Sequence, residues 1–105
     1  MTTYHSLTGF QRDLLEAITA VDDEPYGLAL KDYLDDRYAD PINHSRLYQN
    51  LSQLAELGLL SPEPLDERTN AYRLTDAGRT VLYRHARDLQ AVCPPDALRS
   101  GRRRQ

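Results

Sequence analysis

The apolar residues of this chain change period in a fixed order: helical spacing three times, strand-like alternation once, then helical spacing again. Thr8 is a cap-type residue with Leu7 before it, and Phe10, Leu14, Ala17, Ile18 and Val21 follow on one helical face. The run Asp22, Asp23, Glu24, Pro25 ends this first helix, because acids oppose the dipole at a C-terminus and proline blocks continuation. A second helix is predicted over residues 26–38, burying Leu30, Leu34 and Tyr33 or Tyr38, with Asp32, Asp35, Asp36 and Arg37 outward. Residues 39–42 make a short turn in which Ile42 plugs the core. A third helix runs from an Asn43 cap to a Gly58 stop. Residues 59–65 are extended, and Pro62 and Pro64 confine them to a sheet edge. A polar turn over residues 66–70 leads to a second strand, residues 71–74. Thr75 then caps a fourth helix, closed by Cys93, Pro94 and Pro95.

Three helices, a hairpin and a further helix make a mainly α fold with a small β-hairpin: a winged helix-turn-helix plus a C-terminal dimerisation helix. The organisation expected is an N-terminal arm at residues 1–6, a DNA-binding domain at 7–75, the dimerisation helix at 76–93 and a basic flexible tail at 94–105. At 105 residues the chain supports one core, not two.

The third helix carries the chemistry. With Leu47 at the origin of a helical wheel, Leu51 and Leu54 fall within about 40°, so one apolar stripe faces inward. Ser45, Arg46, Gln49, Ser52 and Gln53 group on the other side. Arg pairs bidentately with guanine, Gln with adenine, and Ser serves a base or a phosphate. No acidic residue occurs between Asp40 and Glu56. An ordinary solvated surface helix is the competing account of the same residues.

Charge is uneven along the chain. There are 12 Arg but one Lys, Lys31, and 11 Asp against 5 Glu. Residues 1–40 carry a net charge of −6 and residues 75–105 a net of +4, within a total of −3. An acidic front and basic back fit a nucleic-acid partner, whereas the low isoelectric point lacks the usual basic signature. Lysine-poor, aspartate-rich composition resembles salt-adapted archaeal proteins; a GC-rich genome favours arginine too. No apolar run approaches the roughly 20 residues of a membrane span and no signal peptide opens the chain, so a cytoplasmic protein without a membrane is expected. Cys93 is the one cysteine, which excludes an intrachain disulfide, and a buried inert thiol is the expectation. His5, His44 and His85 are scattered, and neither a phosphate loop nor metal-ligand spacing occurs, so neither an enzyme nor a cofactor is expected.

Several segments resemble the PadR-like winged-helix transcription regulators, and in particular their haloarchaeal branch. They are LTGFQRDLL at 7–15, Tyr26 with Gly27, Arg46-Leu47-Tyr48 with Asn50-Leu51, and Leu57-Gly58-Leu59. Thr69 to Thr75 with Gly78 resembles the family's wing strand and last helix start. Together these span residues 7 to about 82. The resemblance implies a homodimer, built largely through the helix after the wing, on a pseudo-palindromic operator in an oxidative-stress response at high salt. Leu82, His85, Ala86, Leu89 and Val92 are the interface residues that it suggests. Gln49 stands where the family often has proline, and the last helix is short beside relatives with long extensions, so their ligand-binding features do not carry over.

On this reading, helix 3 enters the major groove of double-stranded DNA. Ser45, Arg46, Gln49, Ser52 and Gln53 make base or phosphate contacts, with His44 near the backbone. Tyr48 either reaches a phosphate or packs partly on the core. Arg68, Thr69 and Asn70 ride at the wing tip, against DNA or in solvent. His85 is expected as a satisfied packing or interface histidine rather than a metal ligand. The Arg102, Arg103, Arg104 run either follows DNA or is solvated. At ~1 M salt the Debye length is ~3 Å, so close contacts, and inorganic cations bridging acidic surface to DNA, replace long-range attraction. The rival function is a winged-helix protein-interaction module in a transcription complex.

Overall fold

The structure is a computed structural model that describes residues 2–21 and 24–96. A single 3-10 turn, Tyr4–Ser6, precedes α1 (Gly9–Ala20), α2 (Gly27–Asp35), α3 (His44–Glu56), β1 (Leu60–Pro64), β2 (Asn70–Leu74) and α4 (Asp76–Val92). This is the winged-helix order that the periodicity predicts.

Local chemistry accounts for the boundaries. Thr8 Oγ1 accepts from the Gln11 amide at 3.2 Å while Gln11 Oε1 accepts from the Thr8 amide at 3.1 Å, a reciprocal capping box. Asn43 Oδ1 accepts from the Arg46 amide at 3.0 Å, and Thr75 Oγ1 from the Gly78 amide at 3.0 Å. Gly58 adopts φ +80°, which glycine tolerates because it lacks Cβ. The Leu59 amide then donates to Leu54 and that of Gly58 to Ala55, each at 3.0 Å. Those two bonds close α3 in a Schellman motif.

Leu14, Leu15, Leu30, Leu34, Leu47, Leu51, Leu54 and Leu59 form the fully buried centre. Ile42 plugs it from the turn as expected. α4 crosses the exit of α3 closely: a Cβ on Gly78 would lie 2.1 Å from the Leu59 carbonyl oxygen. The Leu59 carbonyl also accepts from the Thr75 amide at 3.0 Å, and Thr75 Oγ1 donates to the Gly58 carbonyl at 2.6 Å. Together these bonds fasten α4 to the end of α3.

β1 and β2 pair antiparallel, Leu60 opposite Leu74 and Pro64 opposite Asn70. β2 is flanked on its other side as well. Tyr26 bridges to Ala71, and the Tyr72 amide donates to the Pro25 carbonyl at 3.0 Å. This short third partner joins the wing to the start of α2.

The structure departs from or adds to the sequence expectations at α2, Cys93 and the N-terminal arm. α2 stops at Asp35, not Tyr38, because the Asp35 carboxylate turns to accept from the Ile42 amide at 2.7 Å and pairs with Lys31, also at 2.7 Å. The Lys31 bond, then the Ile42 amide, holds the Asp35 carboxyl below its usual range. Residues 36–38 continue as a looser turn, the Arg37 and Tyr38 amides both donating to the Leu34 carbonyl at 2.9 Å, and Tyr38 lies edge-on to Phe10 with its hydroxyl donating to Asp13. Cys93, expected to be buried, is exposed, as are residues 86–96 around it among the described residues. The opening arm is docked: Tyr4 stacks on His85 with centroids 3.8 Å apart, and Arg12 donates to the Tyr4 and His5 carbonyls. The tail arginines 99 and 102–104 lie outside the described residues.

Candidate nucleic-acid interface

α3 presents three flanks. Ser45, Gln49 and Ser52 form its outermost row, all exposed and none with a side-chain hydrogen bond among the described residues. The flank towards the wing holds His44 and Tyr48, their rings 6.4 Å apart and nearly parallel. Tyr48 is exposed, yet its ring lies against Gly27, where a Cβ would meet the hydroxyl at 2.0 Å. Part of Tyr48 therefore packs, and its hydroxyl sits at the N-terminus of α2.

The flank towards α1 holds Arg46 and Gln53. The Arg46 guanidinium lies 4.1 Å from the Phe10 ring centroid, an orientation favoured by the ring's negative face. Gln53 Oε1 accepts from Gln11 Nε2 at 3.0 Å, and Asn50 Oδ1 accepts from the same nitrogen at 3.2 Å. Asn50 Nδ2 in turn donates to the Arg46 carbonyl at 2.8 Å. Gln11 is a buried polar side chain, 8% exposed. No role for it was expected from sequence, although its place three residues after Thr8 marks the capping box. Burial, then the bond to Asp13, pushes the Tyr38 hydroxyl nearby up to about 12.

At the wing tip, Asp66 Oδ1 accepts from the Arg68 and Thr69 amides, each at 2.8 Å. These two donors hold its carboxyl below the ordinary range. The Arg68 side chain is exposed and makes no ion pair among the described residues. Arg73 is neutralised by Glu63 across the hairpin at 2.9 Å. Between Gly27, Leu28 and Tyr48 on one side and Arg68, Thr69 and Asn70 on the other lies an open hollow of about 370 Å³. The structure thus brings the wing tip, the start of α2 and the wing-side flank of α3 around one depression.

Away from this face, α4 is thinly covered. Leu82 is half-buried against the core, while Ala86, Leu89 and Val92 are exposed, Val92 at 74%. His85 packs as expected, but its Nδ1 is buried without a hydrogen-bond partner, so it is not satisfied. Among the described residues, no three His, Cys, Asp or Glu side chains gather as a metal ion would require. Among the same residues, no helix is long and apolar enough to cross a membrane.

Residues 14–84 match the model of the Transcriptional regulator PadR-like family. Among solved structures, the chain is similar to the complex structure of hsRosR-S1, at 35% identity and TM-score 0.82, covering 96% of this chain and 88% of that one. It is also similar to RosR of H. salinarum grown from NaBr, at 36% identity and TM-score 0.79, covering 91% and 86%. A more distant likeness is the PcaV transcriptional regulator from Streptomyces coelicolor in complex with its natural ligand, at 26% identity and TM-score 0.58, covering 85% and 62%. No curated protein matches the sequence.

Proposed function

The chain belongs to the PadR-like family of transcriptional regulators, and from that premise we propose that it binds a pseudo-palindromic operator as a homodimer. α3 lies in the major groove, where Ser45, Gln49 and Ser52 meet base edges. Arg46 and Gln53 serve the flank beside α1, while His44 and Tyr48 serve the side of the wing. Arg68, Thr69 and Asn70 follow the adjacent backbone. The observation that carries this reading is the outer row of α3: three exposed polar side chains without partners among the described residues, on a helix with no carboxylate before Glu56. Such a surface is ready to exchange water for DNA without first breaking internal bonds.

The second copy docks through α4. Its uncovered apolar residues, Leu89 and Val92, share the helix with Leu82, His85 and Ala86. A two-fold pair presents two α3 helices one DNA turn apart, about 10 base pairs between half-site centres. The likeness to RosR of H. salinarum and the aspartate-rich, lysine-poor composition support a cytoplasmic role at high salt, with inorganic cations bridging acidic surface to phosphates. The oxidative-stress setting is the one that the sequence resemblance implies.

Electrophoretic mobility shift across a salt series tests the reading. Sequence-selective binding that survives at molar salt and falls tenfold or more with Gln49→Ala or Arg46→Ala supports it. Absence of any selective shift at any salt defeats it, in favour of a module that docks on protein. Sedimentation of the wild type against Leu89→Asp tests the dimer.

A further inference from the structure

Gln11 sits between two backbone groups whose hydrogen-bonding roles cannot be exchanged. The Thr8 amide can only donate, so the Gln11 end facing it, 3.1 Å away, is the carbonyl oxygen Oε1. Gln11 Nε2 therefore points to α3. There the Arg46 carbonyl can only accept, so the Asn50 nitrogen faces it at 2.8 Å and Asn50 Oδ1 faces Gln11. One hydrogen of Gln11 Nε2 goes to Asn50, and the other goes to Gln53 Oε1 at 3.0 Å. The orientation of the Gln53 amide is thereby set by groups on α1 and on the α3 backbone: carbonyl inward, NH2 outward.

We infer that Gln11 is a positioning residue that makes Gln53 a donor-only reader of DNA, directed at guanine N7 or O6 or thymine O4 in preference to adenine, whose acceptor N7 stands beside an N6 donor that an outward NH2 opposes. An unconstrained glutamine offers one donor and one acceptor side by side and so matches adenine. Gln53 cannot do this without pulling its oxygen from Gln11 and leaving a buried donor unpaired, which is unfavourable. Gln49 has no such partner and keeps both options. The two glutamines of one helix therefore read differently. This inference rests on the proposal that α3 lies in the major groove.

The test is selection from a randomised operator library at high salt, using the full chain as wild type, Gln53→Met, Gln11→Met and Gln11→Glu, with thermal unfolding recorded for each. The wild type is expected to choose guanine or thymine at one position per half-site, and Gln53→Met to lose that choice. Gln11→Met frees the amide, so adenine should gain about tenfold there, the discrimination of one good base contact. Gln11→Glu keeps the capping box but can only accept, so Asn50 must turn its oxygen away at the expense of its bond to the Arg46 carbonyl, Gln53 turns over, and the preference should move to the amino-bearing bases adenine or cytosine. If Gln11→Met does not fold, Gln11→Glu alone carries the comparison. An unchanged preference in the Gln11 variants overturns the inference, as does adenine as the wild-type choice at that position. So does a uniform loss over all sequences with Gln53→Met, which marks a phosphate contact. A wild type that selects no sequence defeats the groove-binding proposal as well, and is told apart by that result alone.

Discussion

Gly78→Ala sets two physical effects against each other with opposite signs. Gly78 lies inside α4, where alanine is favoured over glycine by about 1 kcal/mol on helix propensity alone. Against this, the new methyl carbon would fall 2.1 Å from the Leu59 carbonyl oxygen, where ordinary contact begins at 3.4 Å. The obstacle is backbone, so no side chain can swing aside. Relief requires the first turn of α4 to move off the exit of α3 by more than 1 Å. That movement breaks the Thr75 amide bond to Leu59 at 3.0 Å and the Thr75 hydroxyl bond to Gly58 at 2.6 Å. Two bonds at about 0.5–1.5 kcal/mol each, together with overpacking strain of about 1–3 kcal/mol, outweigh the propensity gain. A net loss of about 1–5 kcal/mol is expected, and at ~4–8 °C per kcal/mol for a domain near this size the melting temperature should fall by at least about 4 °C. Gly9→Ala is the control: nothing lies within 4 Å of its Cβ position, so it should be neutral or raise stability by up to about 1 kcal/mol. Thermal unfolding of both variants and the wild type, at one protein concentration, decides the matter. A Gly78→Ala protein as stable as the wild type, or more so, would refute the reasoning.

Gly27→Ala should displace the Tyr48 ring from the start of α2, because the methyl would lie 2.0 Å from its hydroxyl; operator affinity should fall severalfold while the far-ultraviolet circular dichroism spectrum holds. Tyr38 is held neutral up to about 12, above the ~10 of an unfolded chain. Its stabilising effect is therefore complete below pH 10 and is lost as pH rises towards 12, so Tyr38→Phe should flatten the alkaline fall of the urea midpoint over that window. The Asp66 carboxyl is held low by the Arg68 and Thr69 amides. The order it gives the wing tip should be complete above ~3.9, the unfolded value, and fade as pH drops through the depressed one. At neutral pH, Asp66→Ala should speed hydrogen exchange at those two amides about tenfold.

The starts of α1, α3 and α4 were legible because each cap is written within four residues: Thr8 with Gln11, Asn43 with Arg46, Thr75 with Gly78; α2 has no side-chain cap. The wing was legible from its prolines and alternation. What the sequence concealed depends on residues far apart in the chain. Gln11 meets Asn50 and Gln53 across 39 and 42 positions, and no window of local pattern spans that distance. For the same reason a wheel drawn on α3 alone groups Arg46 and Gln53 with Gln49. Only the presence of α1 shows that two of the three have partners. The early end of α2 was hidden because Asp35 bonds an amide seven residues on, which its charge alone does not reveal. Exposure of Cys93 is a matter of what α4 lies over, and apolar spacing marks a face without naming its cover.

The Tyr4 ring lies flat on His85, and the carbonyls of Tyr4 and His5 are gripped by Arg12. The first few residues are thus a wedge driven between the opening and closing helices, roofing a hollow of about 500 Å³ beside α4. An affinity handle fused ahead of Thr2 would emerge against the α4 surface proposed for the second copy. Self-association measured with such a handle in place would report on the handle as much as on the protein.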